Sequence, residues 1–184
     1  MVGRHDEAIK ECKKALKLDP LSVYIWTSLG RRYYFARDYN RAIQEYRRIL
    51  ENFPDIDYAR AHLALALSQK GSHKEAIQEF LKISEMTSWN WYLGYIYGKA
   101  GEMEKAQKIL DYYLELSKTE FVWPSNFTFI YAGMGQTEKA IEWLEQTFEQ
   151  REAWLDLLKV EPMYDNLRSD LRFQAVLDQM NFPD

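Results

Sequence analysis

The chain has 184 residues and a net charge of −4, and 47% of it is apolar, enough to fill a hydrophobic core. The acidic balance excludes an overall field that would draw nucleic acid or an anionic membrane, and no apolar run approaches the roughly 20 residues that cross a bilayer. A lone cysteine, Cys12, excludes an internal disulfide framework and points to a reducing compartment, the cytoplasm; the first residues, Met1 to Asp6, lack the apolar core of a signal peptide.

In chain order the dominant feature is a period. Ala8, Ala42, Ala76, Ala106 and Ala140 recur at spacings of 34, 34, 30 and 34 residues, each inside an apolar helical stripe. Such a period predicts an array of small helical units. At the front, Gly3, Ala8, Cys12, Ala15 and Pro20 supply a turn and a second helix without the first helix of their unit. An array needs a polar face at each end, so the chain is expected to be a piece of a longer protein. The rival expectation is that this bare helix meets another subunit.

The clearest unit runs from Tyr24 to Pro54. Trp26, Leu29 and Tyr33 share one face of a first helix, and Gly30 on that face leaves room for a second helix to come close. Ala42 offers the matching small surface on that second helix, Tyr46 follows one turn on, and Pro54 ends it. Copies follow. Gly71, Ala76 and Phe80 mark the next, with Ser72 to Glu75 read as a capping box. Leu93, Gly94, Tyr97, Gly101 and Ala106 make the third after a spacing four residues short, which is expected to remove a helical turn near residues 86–88. Phe127, Tyr131, Gly135, Ala140 and Leu144 make the fourth, with Thr137 as the expected N-cap. Beyond Gln150 the period stops. A short helix is expected over residues 151–160, a compact turn from Pro162 to Arg168, and a last amphipathic helix from an N-cap at Ser169.

Trp26, Leu29-Gly30, Tyr33, Ala42, Tyr46 and Pro54 reproduce the pattern W-x2-L-G-x2-Y, A-x3-F, P with Tyr for Phe. Over roughly residues 3–150 the chain therefore resembles the tetratricopeptide repeat family. The resemblance implies an all-α fold: a right-handed superhelical solenoid of antiparallel helix pairs with C-terminal capping helices. The expected organisation is a repeat array over 1–150, with a half repeat at 1–20 and repeats at about 21–54, 55–86, 87–118 and 119–150, then a helical cap over 151–184. The run Leu158 to Pro162, with Leu167 to Asp170 and Arg172-Phe173, also resembles the tail of repeat regions in bacterial multidomain signalling proteins.

Catalytic chemistry finds no support. His5, His62 and His73 lack the i, i+4 or Cys/His spacings of metal sites and are read as solvated surface. The glycines recur at repeat spacing instead of forming a phosphate loop, and no nucleophile has a local signature. No enzyme activity, metal or cofactor is expected. Arg31, Arg32, Arg37, Arg41, Arg47 and Arg48 fall on two helices and a turn, a dispersed surface instead of a nucleic-acid patch.

The family resemblance implies that first helices line a concave groove that takes partner segments. Helical phase assigns to that groove Tyr24, Thr27, Arg31, Tyr34 and Phe35 in the first full repeat, then Tyr58, Ala61, Leu65 and Ser68. Trp91 and Tyr95 follow in the third repeat, Ser125 and Phe129 in the fourth. Two readings of the aromatics from Trp89 to Tyr97 stand open: hot-spot side chains of the groove, or a thickened core. Thr27 and Arg31, with His62 and Tyr92 nearby, depart from the Lys and Asn of groove clamps for acidic chaperone tails. The expected partner is instead a protein or peptide segment with apolar or aromatic side chains and one acidic group. The rival readings are a sensor region regulating an attached domain, and a self-assembly scaffold using the N-terminal helix.

Overall fold

The computed structural model describes residues 4–83 and 89–182. The helices are α1 (His5–Leu18), α2 (Val23–Phe35), α3 (Tyr39–Asn52), α4 (Asp57–Gln69), α5 (His73–Phe80), α6 (Asn90–Lys99), α7 (Met103–Leu116), α8 (Pro124–Gly133), α9 (Thr137–Glu149) and α10 (Leu171–Gln179). No strand occurs among the described residues. Short 3-10 helices at Ala153–Leu157 and Pro162–Tyr164 lie between α9 and α10. The expected loss of a turn near residues 86–88 lies outside the described residues.

The chain forms two compact units, Met1–Glu85 and Met86–Asp184. In the first, α1 packs on α2, α2 on α3, α3 on α4 and α4 on α5. Ala42, Ala59, Ala66 and Ala76 are wholly buried, which lets helices approach, while Leu29, Tyr33, Tyr46 and Phe80 fill the space between them. A Cβ on Gly30 would stand 2.8 Å from the Tyr46 ring, so the small residue on α2 is what admits the large one on α3. Arg60 of α4 pairs with Glu79 across the α4–α5 hairpin at 3.1 Å.

In the second unit α6 packs on both α7 and α8, α8 on α9, and α10 on α9. The α6–α8 crossing is a backbone contact: a Cβ on Gly98 would lie 2.5 Å from the Gly133 carbonyl carbon, and one on Gly133 2.5 Å from the Tyr95 carbonyl oxygen.

Each first helix ends in the same device. A residue with positive φ follows α2, α4, α6 and α8, and the next amide bonds back five residues: Asp38 to Tyr33, Ser72 to Leu67, Glu102 to Tyr97 and Gln136 to Tyr131. The positive-φ residue is glycine at 71, 101 and 135 and Arg37 after α2, where φ is 60°. Sequence expectations about caps need correction. Ser72 precedes α5 but makes no side-chain cap bond, and the Glu75 carboxylate pairs with Arg47 of α3 instead of reaching back to complete the box. The residue before α9 is Gln136, with Thr137 already helical. Asp170, not Ser169, caps α10, accepting from the Arg172 amide at 2.8 Å. The short helix expected over 151–160 contracts to the 3-10 turn at Ala153–Leu157.

Candidate functional site

The positions assigned by helical phase to the groove divide sharply by burial. On α2, Tyr24 is 81% exposed and Arg31 half-buried, while Thr27, Tyr34 and Phe35 are buried. On α4, Tyr58 is half-buried; Ala61, Leu65 and Ser68 are buried. In the second unit Trp91, Tyr95, Ser125 and Phe129 are all buried. The expectation of an open aromatic groove along all four repeats is therefore corrected. Phase locates the face turned away from the hairpin partner, but α2 also touches α1 and α4, and α6 also touches α8. Side chains at the flanks of that face become its floor.

What remains accessible in the first unit is a small site made by Tyr24 and Arg31 of α2 and Tyr58 of α4. Arg31 bonds the Tyr58 hydroxyl, and its guanidinium carbon lies 5.3 Å from the Phe35 ring centre, within cation–π range. Its Nε is shut off from solvent without an acceptor, and Arg31 forms no ion pair among the described residues. A half-buried cation without a counter-charge is costly to keep. Thr27 adds nothing polar to the surface, because its hydroxyl donates to the Tyr24 carbonyl of its own helix at 2.9 Å.

Beneath this site lies His62. It was expected on the surface, yet it is 7% exposed, with its ring 4.3 Å from that of Tyr58 and stacked at 5.9 Å on that of Tyr46. Burial, helped by the Arg31 charge, lowers its pKa to about 3, so the imidazole is neutral at physiological pH. Residue type and metal-ligand spacing did not distinguish His62 from His5 and His73, but its position did. Its place three residues before Leu65 on the packed face of α4 was the available clue.

In the second unit the assigned positions lie under the segment that follows α9. Trp91 stacks on Phe129 with centroids 5.1 Å apart. Trp154 stands edge-on to both, 5.4 Å from Trp91 and 5.2 Å from Phe129, and Tyr164 lies 4.9 Å from Phe129. Glu152 accepts from the Ser125 amide at 3.2 Å, and Asn166 donates to the Ala132 carbonyl at 2.9 Å. The aromatics near Trp89 thus contribute to a core completed by residues 152–166.

Comparison with known proteins agrees with the helical-pair fold. Family models described as tetratricopeptide repeat match residues 27–85 and 2–20. Tetratricopeptide repeats occupy those residues. It is 29% identical over 160 residues to tetratricopeptide repeat protein 37 of Xenopus laevis, covering 86% of this chain and 9% of that protein. It is 35% identical over 80 residues to tetratricopeptide repeat protein 14 of Mus musculus, covering 44% of this chain and 10% of that one. It thus spans about a tenth of these relatives. A solved tetratricopeptide repeat protein from Parabacteroides merdae matches 97% of the chain, and 73% of its own, with a TM-score of 0.52 at 13% identity, a likeness of fold. Tetratricopeptide repeats generally mediate protein–protein interaction and generally act as non-catalytic scaffolds. No described helix of this repeat protein is long and apolar enough to cross a membrane.

Proposed function

We propose that this chain is a non-catalytic interaction module of the cytoplasm whose first unit holds a partner segment against Tyr24, Arg31 and Tyr58. A carboxylate on the partner pairs with Arg31, and an apolar or aromatic side chain lies along the two tyrosines. The observation that carries this reading is Arg31: a half-buried guanidinium whose Nε lacks an acceptor and which finds no acidic partner among the described residues. An incoming carboxylate would supply that partner in a partly desolvated setting, where charge-assisted bonds are strong. Tyrosine flanks add contact area at low entropic cost. Residues 1–150 are read as the repeat array and 151–184 as its cap.

The test pairs Arg31→Ala with Tyr24→Ala, since both side chains reach solvent and neither substitution opens the core. Proteins captured from the native source on the immobilised wild-type chain are identified, and their affinity for each form is measured by calorimetry. The double variant is expected to bind about 2 kcal/mol more weakly, roughly thirtyfold in Kd, with unchanged circular dichroism. Equal affinity for both forms rejects the site.

A further inference from the structure

Residues 152–168 lie against α6 and α8 as a bound peptide lies against its receptor. Between Ser125 and Ala132, α8 rises about 10.5 Å, and the segment contacts both ends of that stretch. Glu152 meets the Ser125 amide near the helix start, and Asn166 meets the Ala132 carbonyl near its end. The residue at the N-cap of α8 is Trp123, which makes no side-chain cap bond, so Glu152 supplies from outside the acceptor that the helix lacks. Between these polar ends, Trp154 stands edge-on against the stacked pair of Trp91 and Phe129. Those are positions that helical phase assigned to the partner-binding face.

The seam also differs from that of a permanent cap. Glu152 is 5% exposed, and no cation pairs with it among the described residues. The Tyr164 hydroxyl is buried without a hydrogen-bond partner among the described residues. Its surroundings hold the Glu161 and Glu152 carboxylates, and the Arg168 guanidinium is spent on the Leu158 and Glu161 carbonyls and on Asp165. A buried carboxylate and an unmet hydroxyl both favour water over this interface, and they offset part of what the aromatic contacts and the buried Leu155, Leu158, Met163 and Leu167 contribute.

We propose that residues 152–168 are a releasable intramolecular ligand of the α6–α8 face. The face is a binding surface for an acidic-aromatic segment, an acidic residue two places before a large aromatic, and its resident occupant is the chain's own Glu152-Ala153-Trp154. While the segment is docked, the second unit is closed to partners of that chemistry. This proposal stands apart from the Arg31 site, which lies in the first unit.

The probe is a fluorescein-labelled synthetic peptide of residues 150–168, added to the full chain and read by fluorescence anisotropy. Trp154→Ala, which weakens the resident segment while leaving Trp91, Phe129 and Ser125 in place, is expected to bind the peptide at least tenfold more tightly than the wild type. Phe129→Ala added to it is expected to abolish that gain. A folded Trp154→Ala variant that gains no affinity overturns the proposal, as does a wild type that binds the peptide equally well. Should Trp154→Ala fail to fold, hydrogen exchange of the wild type decides. A releasable segment exchanges the Leu158, Val160 and Tyr164 amides through an opening that leaves Ile96 and Ile130 protected; identical protection of all five refutes release.

Discussion

Gly98→Ala is the sharpest test of how the second unit is built. The added methyl would lie 2.5 Å from the Gly133 carbonyl carbon, 2.6 Å from the Met134 nitrogen and 2.8 Å from the Gly133 oxygen. All three are backbone atoms, which cannot swing aside as a side-chain tip can. Ordinary contact begins near 3.4 Å, so α6 and α8 must part by about 0.9 Å at their crossing. A gap of that size forfeits a quarter to a half of each affected van der Waals contact, and the aromatic stack of Trp91 on Phe129 lies along the same seam. Overpacking of this kind costs about 3 kcal/mol at the upper end of its range. Alanine returns about 1 kcal/mol through helix propensity, leaving a net loss of about 2 kcal/mol.

Urea unfolding followed by tryptophan fluorescence suits this test, because Trp89, Trp91, Trp123, Trp143 and Trp154 all belong to the second unit and only Trp26 to the first. A loss of that size moves the midpoint down by about 1 M for an m-value near 2 kcal/mol/M. Gly71→Ala is the control. Its Cβ meets nothing within 4 Å, and its cost comes from φ of +91° alone, about 1 kcal/mol in the first unit. A Gly98→Ala midpoint equal to or above that of the wild type refutes the close-approach argument.

Two titrations carry opposite signs. His62 is held neutral by burial, with its pKa lowered to about 3, whereas the unfolded chain takes up a proton near 6.5. Its contribution is therefore complete above pH 6.5 and falls by about 1.4 kcal/mol per unit below it, reaching about 2.7 kcal/mol by pH 4.5; His62→Gln is expected to remove that part of the acid sensitivity in urea midpoints compared at pH 8 and 4.5. Glu152 runs the other way: burial raises its pKa against the opposing bonds from Ser125, with Tyr164 close enough to sense its charge. Stability from this group is complete below the ordinary carboxylate value and is lost as pH rises through the window above it, so Glu152→Gln, which keeps an acceptor for the Ser125 amide, is expected to unfold at a higher urea concentration than wild type at pH 7 and at the same one at pH 4.

The helix pairs were legible because their determinants are local. Gly30 facing Tyr46, and the alanines that recur with the period, each act through neighbours fewer than 40 residues away, and their spacing is printed in the chain. Caps were less legible, since a capping box competes with other partners: Glu75 reaches Arg47 on another helix, a contact absent from any short window. Arg37 shows the same limit from the other side. It occupies the turn position that glycine holds at 71, 101 and 135, so the shared turn geometry was visible only from the other copies.

The candidate groove failed to read as open for a related reason. Helical phase sorts the sides of one helix, whereas exposure depends on everything that packs against it, including chain far downstream. Trp154 lies 63 residues beyond Trp91, in a segment with no helical period of its own. In the folded chain two local deficits meet in the pairing. The start of α8 follows Trp123, a residue unable to cap a helix, and α6 carries more aromatic rings than a single hairpin partner can cover. An uncapped helix start beside surplus aromatics calls for a segment with an acceptor and an indole close together. Glu152 and Trp154 meet that description, and the contacts they make with Ser125, Trp91 and Phe129 join the two deficits into one interface.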